Sequence, residues 1–384
     1  MGNAIGNLKE YWESIENSTT TVGGAIWDWV DQAIYEPHEI VAGTYEGRLR
    51  TGFDFPGPHQ GNFCSNGIIT ADRKPTPKLA QVKAVQAWIK FELAGVDAKA
   101  NTATVNIKNT YDFINTADHT LRYEIVKNGH IVASGKQALP VIEVDGQASV
   151  TIPLEGVVMK NAAKAGEEIM INLFASQDKA TVWSEPNHEV AQAQFELNAR
   201  PATLAAIKVD KKAEKLAVEQ TEKALSVGNK AIKAVFCKET GMMVSLKLNG
   251  QEIIYGKEGF VYDNYRYIEN DRGCKPGNGL DSIGTCEIVP SKGGSVVVKT
   301  TRGGKLASQV ITYTFLPNGI VDMDVTITPQ AKELRRAGLV ASINPGLRKV
   351  NYYAYGPWEN YNDRKENCMV GRFETTVDDM VVYY

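Results

Sequence analysis

The chain has 384 residues, 43% hydrophobic and 23% charged, with a net charge of −3, which suits a globular protein of two to three domains. The near-neutral balance, with no basic cluster interleaved with aromatics, gives no electrostatic reason to expect nucleic acid or an anionic membrane as a partner. No apolar run reaches membrane-spanning length, and residue 1 does not open a secretory signal.

Residues 4 to 17 predict an amphipathic helix, since Ile5, Leu8, Tyr11, Trp12 and Ile15 fall on one stripe at three-and-four spacing. Residues 23 to 34 (Gly-Gly-Ala-Ile-Trp-Asp-Trp-Val-Asp-Gln-Ala-Ile) do not alternate cleanly, as expected of a strand buried on both faces. Asp28 and Asp31 lie inside that run between and beyond two tryptophans. A buried carboxylate is costly unless paired or placed at a strand end, so both are read chiefly as loop-orienting groups. Residues 35 to 75 form a long irregular region rich in Gly, Pro, Asn and His, and loops of that length are usually functional or disordered. His38 and His59 read as loop histidines. A second helix is expected over 76 to 92, with Thr76 as N-cap, Pro77 at the first helical position, and Leu79, Val82, Val85, Ile89 and Leu93 on one face.

Helix, buried strand, long loop and helix read as the end of a β/α barrel, in which the loops after the strands carry the chemistry. One strand and two helices cannot bury a barrel core, so residues 1 to 95 are expected to be the C-terminal remnant of a domain whose body lies upstream.

From residue 96 the period becomes two. Alternating runs at 104–109, 121–126, 148–152, 169–174 and 192–197, with an Asn-Gly hairpin turn at Asn128-Gly129, suggest an immunoglobulin-like sandwich over 96 to 198. Residues 199 to 222, polar and rich in Ala, Lys and Glu, read as a linker. From 223 to 384 alternating segments and Asn-Gly turns (Asn249-Gly250, Asn318-Gly319) indicate a second all-β domain. Its ending on Val381-Val382-Tyr383-Tyr384 reads as a cut strand, because an apolar edge would be left open. The five cysteines (Cys64, Cys237, Cys274, Cys286, Cys368) are odd in number and lack CxxC or zinc spacing. They read as free thiols in a reducing compartment, the cytoplasm ahead of the periplasm, with a disulfide between two of them as the alternative.

Several short stretches, in order, resemble the C-terminal part of a family 2 glycoside hydrolase of the large bacterial β-galactosidase type. They are Met1-Gly2-Asn3, Gly23-Gly24 through Trp27-Asp28-Trp29-Val30-Asp31-Gln32, Phe63-Cys64-Ser65-Asn66-Gly67, and Asp72-Arg73 followed by Pro75 and Pro77. Trp183-Ser184-Glu185, His188-Glu189-Val190-Ala191, Gly356-Pro357, Glu359-Asn360-Tyr361 and Asp363-Arg364 continue the likeness. The fold class this resemblance implies is multidomain and mainly β: the tail of a (β/α)8 TIM barrel, an immunoglobulin-like sandwich, and the N-terminal part of a β-galactosidase small-chain sandwich. Family siblings such as glucuronidases generally lack that last domain, which favours a galactosidase.

The resemblance further implies retaining hydrolysis of terminal β-galactosides such as lactose, by two carboxyl groups about 5 Å apart. Both catalytic glutamates would lie upstream of Met1, and none of Glu10, Glu13, Glu16, Glu36, Glu39 or Glu46 sits in a motif that could replace them. The chain is therefore expected to be inactive alone. Carried over residue by residue, Trp27 would line the galactose pocket, with Asn66 beside it, and Phe63 and Asn66 would give a backbone carbonyl and a side-chain oxygen to a sodium ion. Magnesium ligands would all be upstream. The run Phe53-Asp54-Phe55-Pro56-Gly57-Pro58-His59 departs from the glycine-rich family pattern. The resemblance also implies an upstream barrel polypeptide or partner subunit, and a homo-oligomer when intact. His188 reads as a satisfied structural residue, Glu359, Asp363 and Arg364 as a charge-paired turn, and Arg302, Arg335, Arg336 and the lysines of 208 to 215 as solvated charge.

Two other readings stay open: a non-catalytic sandwich module that binds carbohydrate or protein, and one subunit of a split β-galactosidase.

Overall fold

The computed structural model describes residues 4–36, 48–61, 63–199, 207, 212–265, 279–332, 334 and 336–380. Met1 to Asn3, His38, Cys274, Arg335, most of the 199–211 stretch and the terminal Val381 to Tyr384 lie outside them. The described residues fall into two compact units, one drawn from 1–206, 351–375 and 379–384, the other from 207–350 and 376–378.

In the first unit, helix α1 (Leu8–Glu16) places Leu8, Trp12 and Ile15 half-buried along the expected stripe, while Tyr11 stays 69% exposed. Strands β1 (Ile34–Glu36) and β2 (Arg48–Arg50) pair as a short antiparallel ribbon. The run from Gly52 to Asp54 is a single 3-10 turn, stapled by Thr51, whose backbone N–H donates to the Asp54 carboxylate at 2.8 Å. Helix α2 (Pro77–Val85) starts as expected: the Thr76 hydroxyl accepts from Lys78 N–H at 3.2 Å and donates to Ile68 O at 2.7 Å. It stops seven residues short of the expected end at 92. Ile89 and Leu93 belong instead to β3 (Ile89–Asp97), where Ile89 is 2% exposed and pairs with Asn109. Lys90 Nζ reaches back to Val85 O at 2.9 Å and satisfies a carbonyl of the final turn. Sheet pairing overrides helix pattern here.

Strands β4 (Thr102–Asn109), β5 (His119–Lys127), β6 (His130–Ala138), β7 (Gln147–Pro153), β8 (Ile169–Gln177) and β9 (His188–Glu196) complete a sandwich. One sheet runs β3-β4-β7 and the other β6-β5-β8-β9, all antiparallel. Inward positions read straight from the alternation: Ala103, Val105 and Ile107 on β4 face the core with Ile169, Ile171, Leu173 and Ala175 on β8, all at 0% exposure. The β5–β6 hairpin turns on Asn128 (φ 50°) and Gly129 (φ 77°), the left-handed pair that an Asn-Gly turn supplies.

The second unit opens with the antiparallel meander β10 (Ala217–Gln220), β11 (Ala224–Gly228), β12 (Ile232–Cys237), β13 (Met243–Leu248) and β14 (Gln251–Glu252). Strand β10 lies inside the stretch read as linker; its side chains are exposed, so an edge strand there carries no apolar signal. A short strand β15 (Val261–Asp263) precedes a four-stranded meander, β16 (Leu280–Val289), β17 (Val296–Gly304), β18 (Ala307–Phe315) and β19 (Val321–Pro329), and pairs with β20 (Gly338–Val340). Phe236 of β12 meets Tyr313 and Phe315 of β18 edge-on at 5.2 and 6.1 Å, which joins the two meanders in one core. Arg302, read as solvated, is 9% exposed and donates to Asp281 O at 2.5 Å. Its position on β17 faces inward, and a backbone carbonyl takes the place of water.

Strands β21 (Lys349–Gly356) and β22 (Met369–Thr376) form a two-stranded ribbon, and the residues between them belong to the first unit.

Candidate functional site

Three stretches far apart in sequence meet in the first unit. Residues 27–32 run beside 63–69: Asp28 N–H donates to Asn66 O at 3.3 Å, Ile68 N–H to Asp28 O at 2.9 Å, and Ile69 N–H to Trp29 O at 3.0 Å. Asp31 N–H reaches Ile69 O at 3.0 Å and Gln32 N–H reaches Cys64 O at 2.8 Å. Val30 and Ile69 form a parallel bridge, and the Trp27-Asp28 peptide is cis. The expected strand buried on both faces is not what this segment forms. Trp27 is 80% and Trp29 58% exposed, because among the described residues the segment pairs with this one partner, whereas a parallel strand is buried by neighbours on both sides.

Gly67 is the hinge of the arrangement. A Cβ there would lie 2.1 Å from Asp31 N and 2.4 Å from Val30 C, so only glycine lets the two chains approach. Its own N–H donates to the Asp31 carboxylate at 2.7 Å. Asp28, more exposed, accepts from Gln32 Nε2 at 2.7 Å. The two aspartates thus hold loops, and neither stands free as a nucleophile. Asp72 does similar work, accepting from the Thr70 hydroxyl and pairing with Lys74 at 2.8 Å.

Beneath Asp31 lies Lys78 of α2, fully buried. Burial pushes the Asp31 carboxyl above its ordinary pKa while Lys78 and the Gly67 N–H pull it back; burial likewise pushes Lys78 below the usual lysine value, with Asp31 opposing. Arg364 and Glu359 complete this cluster. Arg364 is 0% exposed, pairs with Glu359 at 2.9 Å, donates to Ala4 O at 3.3 Å and lies 5.1 Å from the Tyr361 ring. Tyr361 and Arg364 bridge each other through their backbones, the charge-paired turn expected. Asn7 N–H donates to Asp363 O at 2.8 Å, Gln81 Nε2 to Glu366 at 2.6 Å, and Asn367 N–H to Gln81 at 3.2 Å. The third stretch is therefore clamped onto both helices.

Phe63 and Asn66 come together as a possible donor pair. Asn66 Nδ2 lies 2.6 Å from Phe63 O, while Asn66 Oδ1 is buried without a hydrogen-bond partner. Exchange of the amide N and O would direct two oxygens at one point, a set of hard donors that fits a cation. Among the described residues no group of three or more His, Cys, Asp or Glu could hold a metal ion. His59 accepts from Gly61 N–H at 3.0 Å, as a loop histidine should. His188, expected to be satisfied and structural, is exposed beside Trp183, with ring centroids 5.6 Å apart. Lys78 escaped the sequence reading, and Gln32 entered it only as the end of the Trp27–Gln32 stretch. A lysine in the first turn of a helix opposes the macrodipole, and that was the available signal for Lys78.

In the first unit a helical segment with the tight Gly67 contact and the buried charge cluster leads into a β-sandwich, and the second unit is all-β, which defines a multidomain, mainly β protein. Three family models tile the chain in order: the TIM barrel domain of glycosyl hydrolases family 2 over 1–91, β-galactosidase domain 4 over 105–198, and the β-galactosidase small chain over 228–384. The chain belongs to the family 2 glycoside hydrolases, of the large bacterial β-galactosidase type. It is 29% identical over 398 residues to a β-galactosidase of Priestia megaterium, 29% over 417 to one of Photobacterium profundum, and 26% over 415 to one of Pseudoalteromonas haloplanktis. Each match covers 100% of this chain and 37 to 39% of the relative, so the chain spans well under half the length of the curated relatives it matches.

Proposed function

We propose that this chain completes the galactoside site of a retaining β-galactosidase whose two catalytic glutamates lie in the barrel segment outside it. The observation that carries the reading is the Trp27 indole, 80% open to solvent on a backbone pinned by Asn66, Asp28 and Ile68. A large apolar ring held on a fixed loop suits the apolar face of a sugar. Phe63 O and Asn66 are the residues that would hold sodium, and a cation there would coordinate and orient sugar hydroxyl oxygens; magnesium would be held elsewhere. The chain's own carboxylates near the site serve as loop anchors, while retaining hydrolysis needs a nucleophile and an acid/base about 5 Å apart. The chain alone is therefore inactive. The intact enzyme takes β-galactosides such as lactose, assembles as a homo-oligomer, and works in the cytoplasm, where the free thiols of Cys64, Cys237, Cys286 and Cys368 are at home. Among the described residues no helix is long and apolar enough to cross a membrane.

The test joins this chain to the barrel polypeptide that precedes it, fused or as a separate subunit, and follows hydrolysis of 2-nitrophenyl β-D-galactoside. Activity that appears only on assembly, and falls about 100-fold in kcat/KM with Trp27→Ala, supports the reading; a loss of about 2.7 kcal/mol of transition-state binding corresponds to that factor. Full activity of the Trp27→Ala assembly would remove Trp27 from the site.

A further inference from the structure

A cavity of about 420 Å³ lies in the first unit, between α2, strand β9 and the 356–368 loop, and shares none of Trp27, Phe63 and Asn66. That volume is within the range of small-molecule sites. Leu79 and Val190 give it an apolar floor, and Trp358, 39% exposed, a wall. Lys83 and Glu189 bring opposite charges to it, so a strongly ionic ligand of either sign meets a repulsive partner.

Two features make this a built site. Trp358 stands on a pinned loop: its carbonyl accepts from Cys368 Sγ at 3.3 Å and from Asn360 Nδ2 at 3.1 Å, and Asn360 also donates to Tyr355 O at 3.2 Å. Asn367, 4% exposed, anchors the far end of that loop, its Nδ2 donating to Pro77 O at 3.2 Å and its N–H to Gln81 at 3.2 Å. Glu189 offers the cavity carboxylate acceptors, with one oxygen engaged by Arg122 at 3.5 Å.

We infer that this cavity binds a neutral saccharide, one apolar face of the sugar ring on the Trp358 indole and a hydroxyl donating to Glu189. An aromatic wall, a charge-balanced rim and a carboxylate acceptor match a polyol with hydroxyl donors and a C–H face. Nothing in this inference depends on Trp27 or on catalysis.

The test uses the full chain with ¹⁵N-labelled tryptophan and lactose or maltose as probe, in the parent and in Trp27→Ala. The Trp358 indole N–H resonance, assigned by its absence in Trp358→Ala, is expected to shift saturably in both, and calorimetry is expected to show affinity about tenfold weaker in Trp358→Ala. A Trp358 resonance that ignores both sugars, or a shift that vanishes in Trp27→Ala, overturns the inference. Binding unaltered by Trp358→Ala does so as well.

Discussion

Arg364 offers the sharpest test of how the third stretch is held. Replacing it with methionine removes the 2.9 Å pair with Glu359, the bond to Ala4 O and the contact with the Tyr361 ring, while keeping most of the volume. Breaking a buried pair by removing one member costs about 3–5 kcal/mol. Glu359 is 35% exposed, so water recovers part of that loss, and the expected cost is about 3 kcal/mol. Glu359→Gln alone is expected to cost about 1 kcal/mol, and the double variant less than the sum, with a coupling of about 1–2 kcal/mol. Because two units unfold, global denaturation is a poor reporter. Native-state hydrogen exchange at the Asn7 amide, which donates to Asp363 O, reads the clamp directly. Arg364→Met is expected to lower its protection by about 100-fold, since each 1.4 kcal/mol is tenfold. Protection unchanged within threefold would refute the argument that this arginine clamps the loop to the N-terminal helix.

Gly67→Ala forces a Cβ into Asp31 N and Val30 C, and is expected to destabilise the 28–32/66–69 contact by about 3 kcal/mol or more, read as lost exchange protection at Ile68 and Ile69. In the second unit, burial works against the charged Glu252 carboxylate. Hydrogen bonds from Ser245 (2.5 Å), Leu246 N–H (2.9 Å) and Ile254 N–H (3.1 Å) outweigh it and hold its pKa below the ordinary 4.5. A depressed acid stabilises above pH 4.5 and loses that contribution as pH falls through its folded pKa. Glu252→Gln should therefore cost about 1 kcal/mol at pH 7 and flatten the acid limb of thermal stability below pH 4.5; an unchanged acid limb would count against it.

The sandwich was legible because its signals are local: alternation at Ala103, Val105 and Ile107, and Asn-Gly at 128–129, need nothing beyond neighbouring residues. The end of α2 was not, since Ile89 and Leu93 satisfy a helical stripe equally well and only pairing with β4 decides. Strand β10 was hidden by its exposed, polar edge position. Burial of Arg302 and Lys78 depends on Asp281 O and Asp31, partners 21 and 47 positions away, and no window of sequence reports such contacts. The site's three stretches were visible as unusual clusters of acids, aromatics and glycine. Their convergence through Asn7, Gln81 and Arg364 follows from the fold.

The central claim is that this chain holds binding groups without the catalytic carboxylates. The direct measurement is hydrolysis of 2-nitrophenyl β-D-galactoside by the purified chain, with sodium and magnesium supplied, followed for hours at micromolar protein. The account predicts release no faster than buffer. Turnover above buffer that disappears when an Asp or Glu of this chain is replaced would contradict it.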